Sequence, residues 1–184
     1  MRYAGIVVAG GSARRLSGVD KPALNVGGKP LLTRAIHALE GAERVIAVGP
    51  RRPGFDVVWT REPVPGTGPV AAVAAGLLFV PEDVEAVAVL AADLPGVRRS
   101  TVDRLVAAVG GADSADGAVL VDAAGARQWL LGVWRVPALR AALPEHPENA
   151  ALRRTLGALD IVDVPAEPGE ADDIDTPEDL DRLS

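Results

Sequence analysis

Apolar residues in this chain fall in short runs divided by glycine, proline and charged segments. Some runs are unbroken, as in strands buried on both faces. Others recur every three or four positions, as on one-sided helices. Residues 3–9 form an unbroken run that enters Gly10-Gly11 and predict a buried strand. Lys29-Pro30 opens a helical pattern in which Leu31, Leu32, Ala35, Ile36 and Leu39 share a face, with Pro30 in the first turn and Gly41 as the stop. Residues 44–48 predict a second strand and residues 56–59 a shorter one. The Pro- and Gly-rich stretch 61–68 predicts a loop, and residues 70–80 an alanine-rich helix. Residues 86–92 are the most apolar strand and end at Asp93-Leu94-Pro95. Ser100 is the expected N-cap of a helix through Val109, closed by Gly110-Gly111. Strands at 117–121 and 129–134 flank a turn at 122–125. Short helices at 137–143 and 150–159, a strand at 161–164 and a closing helix at 177–183 complete the pattern.

Strands that alternate with helices predict an α/β protein of three layers, α/β/α, with a mostly parallel sheet covered on both faces. No repeat and no linker divides the chain, so residues 1–184 are expected to form one domain. Ligands of such sheets bind beyond the carboxyl ends of the strands. That directs attention to loops 10–21, 60–69 and 92–99.

Composition narrows the chemistry. Cysteine is absent, which excludes a disulfide framework, a thiolate zinc site and a cysteine nucleophile. The net charge of −6 argues against a nucleic-acid partner while leaving room for one nucleotide held locally. No apolar run is long enough to span a membrane, and no secretory leader precedes the first strand, so a cytoplasmic location is expected. The two histidines, His37 and His146, are isolated and suggest neither a dyad nor a metal site.

The first loop carries the strongest chemical signal. It reads Ala9-Gly10-Gly11-Ser12-Ala13-Arg14-Arg15-Leu16-Ser17-Gly18-Val19-Asp20-Lys21-Pro22. Adjacent glycines let backbone N–H groups approach a phosphate chain where a Cβ would clash. Ser12 adds a hydroxyl. Arg15 can fork onto two phosphate oxygens, and Lys21 brings a mobile point charge. A structural turn would explain the glycine pair alone. The spacing matches neither the G-x-x-x-x-G-K-[ST] loop nor the G-x-G-x-x-G fingerprint, which sets aside a dinucleotide-dependent dehydrogenase.

Residues 8–12 through 18–22 resemble the signature of the molybdenum cofactor guanylyltransferase-like (MobA-like) nucleotidyltransferases, written L-A-G-G-x-S-x-R-M-G-x-D-K. Leu16-Ser17 replaces the usual pair before the glycine, and the charged positions are intact. The resemblance implies a Rossmann-like nucleotidyltransferase (GT-A-like) fold. It also implies that Ala9, Gly10, Gly11, Ser12, Arg15 and Lys21 hold the nucleotide's phosphates, with Arg15, Lys21 and Asp93 as catalytic residues.

Asp93 ends a buried strand, where a carboxylate projects into the ligand crevice. It suits Mg²⁺, although a turn aspartate two residues before Pro95 is an ordinary structural feature. The stretch 173–180, D-I-D-T-P-E-D-L, reads as a capped helix start. It also resembles the family's late element, which implies Asp175, rather than Asp173, as a second metal ligand.

Gly66-Thr67-Gly68-Pro69 and the following alanines resemble the family's nucleobase region, implying that Gly68 and Pro69 lie against the base. A tightly packed alanine helix is the alternative. Val64-Pro65 stands where guanylyltransferases of the family often carry an acid, which puts CTP or ATP beside GTP as the donor. Residues 128–134 fall where the family's acceptor-facing strand lies. Trp129 and Trp134, five residues apart, are expected on opposite sheet faces, so one could stack on a planar acceptor such as a pterin. Core packing is the alternative.

The expected reaction moves a nucleoside monophosphate from an NTP, GTP favoured, to a phosphate-bearing small molecule such as molybdopterin, with Mg²⁺ as cofactor and pyrophosphate released. The expected assembly is a monomer or weak homodimer. Alternatives are a CTP-dependent molybdopterin or sugar/polyol-phosphate nucleotidyltransferase, and an inactive nucleotide-binding regulatory protein.

Overall fold

The structure, a computed structural model, describes residues 1–10 and 20–172. Nine strands and five α-helices are found among them. In chain order these are β1 (Tyr3–Val8), β2 (Asn25–Val26), β3 (Lys29–Pro30), α1 (Leu31–Ala38), β4 (Val45–Val48), β5 (Val58–Thr60), α2 (Pro69–Leu77), β6 (Ala86–Ala91), α3 (Arg99–Gly110), β7 (Gly117–Val121), β8 (Arg127–Arg135), α4 (Val136–Ala142), α5 (Leu152–Leu156) and β9 (Ile161–Pro165). Seven strands form one sheet in the order β5-β4-β1-β6-β8-β7-β9. β8 alone runs against its neighbours, so the sheet is mostly parallel, a Rossmann-like nucleotidyltransferase fold.

Both faces are covered, which explains why the central strands are apolar at every position. Along β6, Ala88 and Leu90 point to the face that carries α1 and α3, where Val7, Leu32, Leu39 and Leu105 pack. Val87 and Val89 point to the opposite face with Ile6, Ile46, Val73, Trp134, Leu139 and Leu156, under α2, α4 and α5. The chain lays β4 and β5 on one side of β1, then returns to place β6 on the other. That reversal opens a crevice beyond the carboxyl end of β1, the usual ligand position in such sheets.

Several local expectations are corrected. Pro30 does not lie in the first turn of α1: it pairs with Asn25 in the β2–β3 hairpin and caps the helix with extended backbone (ψ 144°). The hairpin turns on Gly27 and Gly28 (φ 58° and 78°), the conformation that a two-residue primed turn needs and that glycine adopts without strain. Leu31 then packs on Val26 in a small separate core. The cap of α3 is Arg98 rather than Ser100, because the Arg98 N–H donates to Thr101 Oγ1 (3.2 Å) and starts the helix two residues earlier. The helix expected over 150–159 is only α5, five residues long. Residues 177–183, expected to be helical, lie outside the described residues.

Trp129 and Trp134 do not point to opposite faces, since both pack in the same cluster. Val119 pairs with Gly132 but Leu120 pairs with Gln128, so one step on β7 spans four on β8. The three residues of β8 left without a β7 partner are Trp129, Leu130 and Leu131, so Trp129 lies within the bulge, where the regular alternation of side chains is broken.

Candidate active site

Three loops meet beyond the sheet's carboxyl edge. The first leaves β1 at Ala9-Gly10, and its far end, Asp20-Lys21, re-enters the described structure as a 3-10 turn, Lys21–Ala23. The second follows β6 and carries Asp93. The third, after β5, carries Glu62 and Gly66. Hydrogen bonds hold their bases in register: Ala9 N–H donates to Val48 C=O (2.8 Å), and Ala92 N–H to Val8 C=O (3.1 Å).

Lys21 and Asp93, 72 positions apart, face each other across the crevice, with Nζ 3.8 Å from Oδ2. Their side chains are 16% and 28% exposed, so both are sheltered yet open to a ligand. The positive group can neutralise a phosphate, and the carboxylate offers hard oxygens to a cation.

Arg52, which the sequence did not single out, braces this arrangement. It forks onto Asp20 (Nε–Oδ2 3.0 Å, Nη2–Oδ1 2.5 Å) and also donates to the carbonyls of Pro50 (3.1 Å) and Ala9 (3.4 Å). One guanidinium thereby ties both ends of the first loop to the end of β4, and Asp20 places Lys21 beside it. Nothing in the local sequence signals this, because the partner of Asp20 is 32 residues away. Gly49 lets the strands come this close. Its φ is 150°, and a Cβ there would sit 2.7 Å from Gly10 N and from the Ala9 carbonyl carbon.

Gly10 and Gly49 also line a cleft of about 250 Å³ with Arg61, Glu62, Pro65 and Gly66. Glu62 is only 8% exposed. A Cβ on Gly10 would come 3.7 Å from its Oε1, so the carboxylate sits directly beside the glycine loop. Glu62 was not singled out from sequence either. Its signal was an acid two residues before Val64, at a position only the loop's path brings into the site. Gly68 caps α2 with φ 100°, and Pro69 begins it.

Among the described residues, no three His, Cys, Asp or Glu side chains cluster as a protein-only metal site. Mg²⁺ needs one or two carboxylates plus substrate phosphates, and Asp93 fits that role. Gly11, Ser12, Arg15 and Asp175 lie outside the described residues. Trp134 is fully buried, which removes it as an acceptor platform, whereas Trp129 is half-buried at the start of β8. No described helix is long and apolar enough to cross a membrane.

A crevice of this kind, with a cation and a carboxylate facing one another where the strand order reverses, is built for phosphate chemistry, and the chain is a nucleotidyltransferase. Its residues 5–163 match the MobA-like NTP transferase domain, and the chain belongs to that family. It is 31% identical to a probable molybdenum cofactor guanylyltransferase of Natronomonas pharaonis, covering 97% of this chain and 95% of the relative. It is likewise 31% identical to a molybdenum cofactor guanylyltransferase of Rhodobacter capsulatus, covering 99% and 95%. The fold matches the crystal structure of molybdopterin-guanine dinucleotide biosynthesis protein A from Archaeoglobus fulgidus with a TM-score of 0.72, at 20% identity over 98% of this chain and 96% of that one.

Proposed function

We propose that this chain transfers GMP from GTP to the phosphate of molybdopterin. The observation that carries this reading is the Lys21–Asp93 pair facing across the crevice beyond β1 and β6. The acceptor's phosphate oxygen attacks the α-phosphorus, a new P–O bond forms, and the bond to the β-phosphate breaks with pyrophosphate leaving. The phosphate is itself the nucleophile, so no protein nucleophile is required. The side chains contribute positioning and charge.

Backbone N–H groups at Gly10 and Gly11, with Ser12 and Arg15, hold the triphosphate. Lys21 neutralises the charge that builds on the departing pyrophosphate, and Arg52 fixes Asp20 so that Lys21 is already in place. A Mg²⁺ held by Asp93 and Asp175 would supply further neutralisation of the phosphate oxygens. Gly68 and Pro69 lie against the base.

Glu62 supports guanine over cytosine. Guanine offers two adjacent donors, N1–H and N2–H, which a carboxylate can accept together, and no other common base matches that pair. The acid missing at Val64-Pro65 is supplied from two residues earlier. The test is pyrophosphate release with molybdopterin and each of GTP, CTP, ATP and UTP. GTP should be preferred, and Glu62→Gln should raise its KM about tenfold or more and narrow the preference. An unchanged GTP-to-CTP ratio in Glu62→Gln would remove Glu62 from base selection. Turnover with CTP alone would refute the guanine reading.

A further inference from the structure

We infer that Glu170, a buried carboxylate that the proposed reaction does not use, is a positioning residue for Asp93. Through the hydroxyl of Thr101 and the backbone of Gly96 it fixes the loop that carries Asp93, residues 93–98. This rests on the reading of Asp93 as the residue that holds the cation and adds what keeps that carboxylate in place.

A carboxylate is costly to bury unless its oxygens are paired, and Glu170 is only 2% exposed. Both of its oxygens are occupied. Oε1 accepts from Thr101 Oγ1 (2.5 Å) and Arg104 Nη1 (3.1 Å). Oε2 accepts from Arg104 Nη2 (2.6 Å) and the Glu167 N–H (2.8 Å). Glu170 is thus closed to a ligand and cannot itself hold a cation. Stability alone does not call for such a set, because a buried ion pair can often be exchanged for apolar side chains at little loss. What directional bonds add is a fixed position.

That position reaches the loop by two routes. The first is a hydrogen-bond relay. Thr101 is fully buried, and its hydroxyl both donates to Glu170 and accepts the Arg98 N–H (3.2 Å), which ends the loop and starts α3. The second is packing. The turn closed by the Glu170 N–H on Glu167 C=O (3.1 Å) lies hard against Gly96. A Cβ on Gly96 would fall 2.5 Å from the Gly169 carbonyl carbon and 3.1 Å from Glu170 Cα. The near end of the loop is held separately, by the Ala92 N–H on Val8 C=O (3.1 Å). With both ends fixed, and Leu94 and Val97 buried between them, Asp93 Oδ2 stands 3.8 Å from Lys21 Nζ. Precision matters at such a place, since a displacement of about 1 Å can cost two orders of magnitude in rate.

The test measures Mn²⁺ binding to the full chain, with GTP present and no acceptor, by electron paramagnetic resonance. Deuterium uptake of residues 93–98 is followed by mass spectrometry with β1 as the reference. Thr101→Val keeps the shape of the side chain and removes the hydroxyl. It should weaken Mn²⁺ binding about tenfold, as loss of a residue supporting a metal ligand does, and raise uptake in residues 93–98 above that in β1. Thr101→Ser returns the hydroxyl and should restore both. Glu170→Gln turns an amide NH₂ towards groups that are themselves donors and should act as Thr101→Val does. It carries the comparison if circular dichroism shows that Thr101→Val fails to fold. In turnover, the Mg²⁺ concentration for half-maximal rate should rise, with the KM for GTP at saturating Mg²⁺ unchanged. A general loss of stability would not depend on Asp93. In an Asp93→Asn background, Thr101→Val should therefore have no further effect on Mn²⁺ binding. Parent-like Mn²⁺ affinity in the folded variants, or an equal loss with and without the Asp93 carboxylate, overturns the proposal. The two possible failures are distinct. A normal Asp93→Asn effect beside a silent Thr101→Val removes Glu170 alone, whereas a silent Asp93→Asn removes the metal reading beneath it.

Discussion

Glu170→Ala probes how the segment after β9 is held against the active-site loops. Glu170 is 2% exposed and accepts four hydrogen bonds. Two come from Arg104 (3.1 and 2.6 Å), one from Thr101 Oγ1 (2.5 Å) and one from the Glu167 backbone N–H (2.8 Å). The segment it anchors presses on the loop after Asp93 so closely that a Cβ on Gly96 would fall 1.9 Å from the Gly169 carbonyl oxygen. Removing a carboxylate from such a set costs about 1.5–3 kcal/mol per charged hydrogen bond before relaxation. The Arg104 side chain is 30% exposed and regains water, which discounts its share. Thr101 is fully buried and does not. The net expectation is roughly 2–4 kcal/mol, or about 5–15 °C in Tm for a chain of this length.

The pH dependence follows from the same contacts. Burial alone would raise the pKa of Glu170, but the bonds from Arg104, Thr101 and the Glu167 N–H outweigh it and leave the pKa below the ordinary carboxylate value. A group with a depressed folded pKa stabilises above its unfolded pKa, about 4.3, and that stability is lost as pH falls through the folded value. Urea unfolding of parent and variant at pH 7, 5 and 3 should therefore show a gap that is widest at pH 7 and narrows towards pH 3. A gap under about 1 kcal/mol at pH 7, or one that does not change with pH, would refute the reasoning.

The site itself yields further expectations. Lys21→Ala should lower turnover by about two orders of magnitude or more with Tm nearly unchanged, because the role proposed for its charge lies in the transition state and its ion pair with Asp93 is a long one (3.8 Å); near-parent turnover in a pyrophosphate-release assay would take Lys21 out of the mechanism. Asp93→Asn should abolish Mg²⁺-dependent turnover and weaken Mn²⁺ binding followed by electron paramagnetic resonance; a parent-like Mg²⁺ titration would show the metal assignment to be wrong.

The central strands could be placed from the sequence because full burial leaves few polar residues within them. Residues 3–9 and 86–92 contain β1 and β6 within a residue. Element ends were less legible. Pro30 and Ser100 are good capping and first-turn residues by type, but the Gly27-Gly28 hairpin and the Arg98–Thr101 bond decided where α1 and α3 begin. The same division holds in the active site. Gly10 and Lys21 stand in one contiguous loop with a recognisable pattern, and Asp93 follows the most apolar run, so both were visible. Arg52 and Glu62 sit in ordinary loop sequence, and only the packing of one strand end on another brings them to the site.

The sequence by itself therefore determined the alternation of strands and helices and the family, and it marked Gly10, Lys21 and Asp93 as candidate site residues, because these depend on residues near one another in the chain. The tertiary structure alone decided that Lys21 faces Asp93, that Arg52 clamps Asp20, and that Trp129 shares a sheet face with Trp134. The physical reason is that sheet order, register and a three-residue bulge couple positions tens of residues apart. A bulge in one strand is enough to break the alternation that would otherwise have put Trp129 and Trp134 on opposite faces.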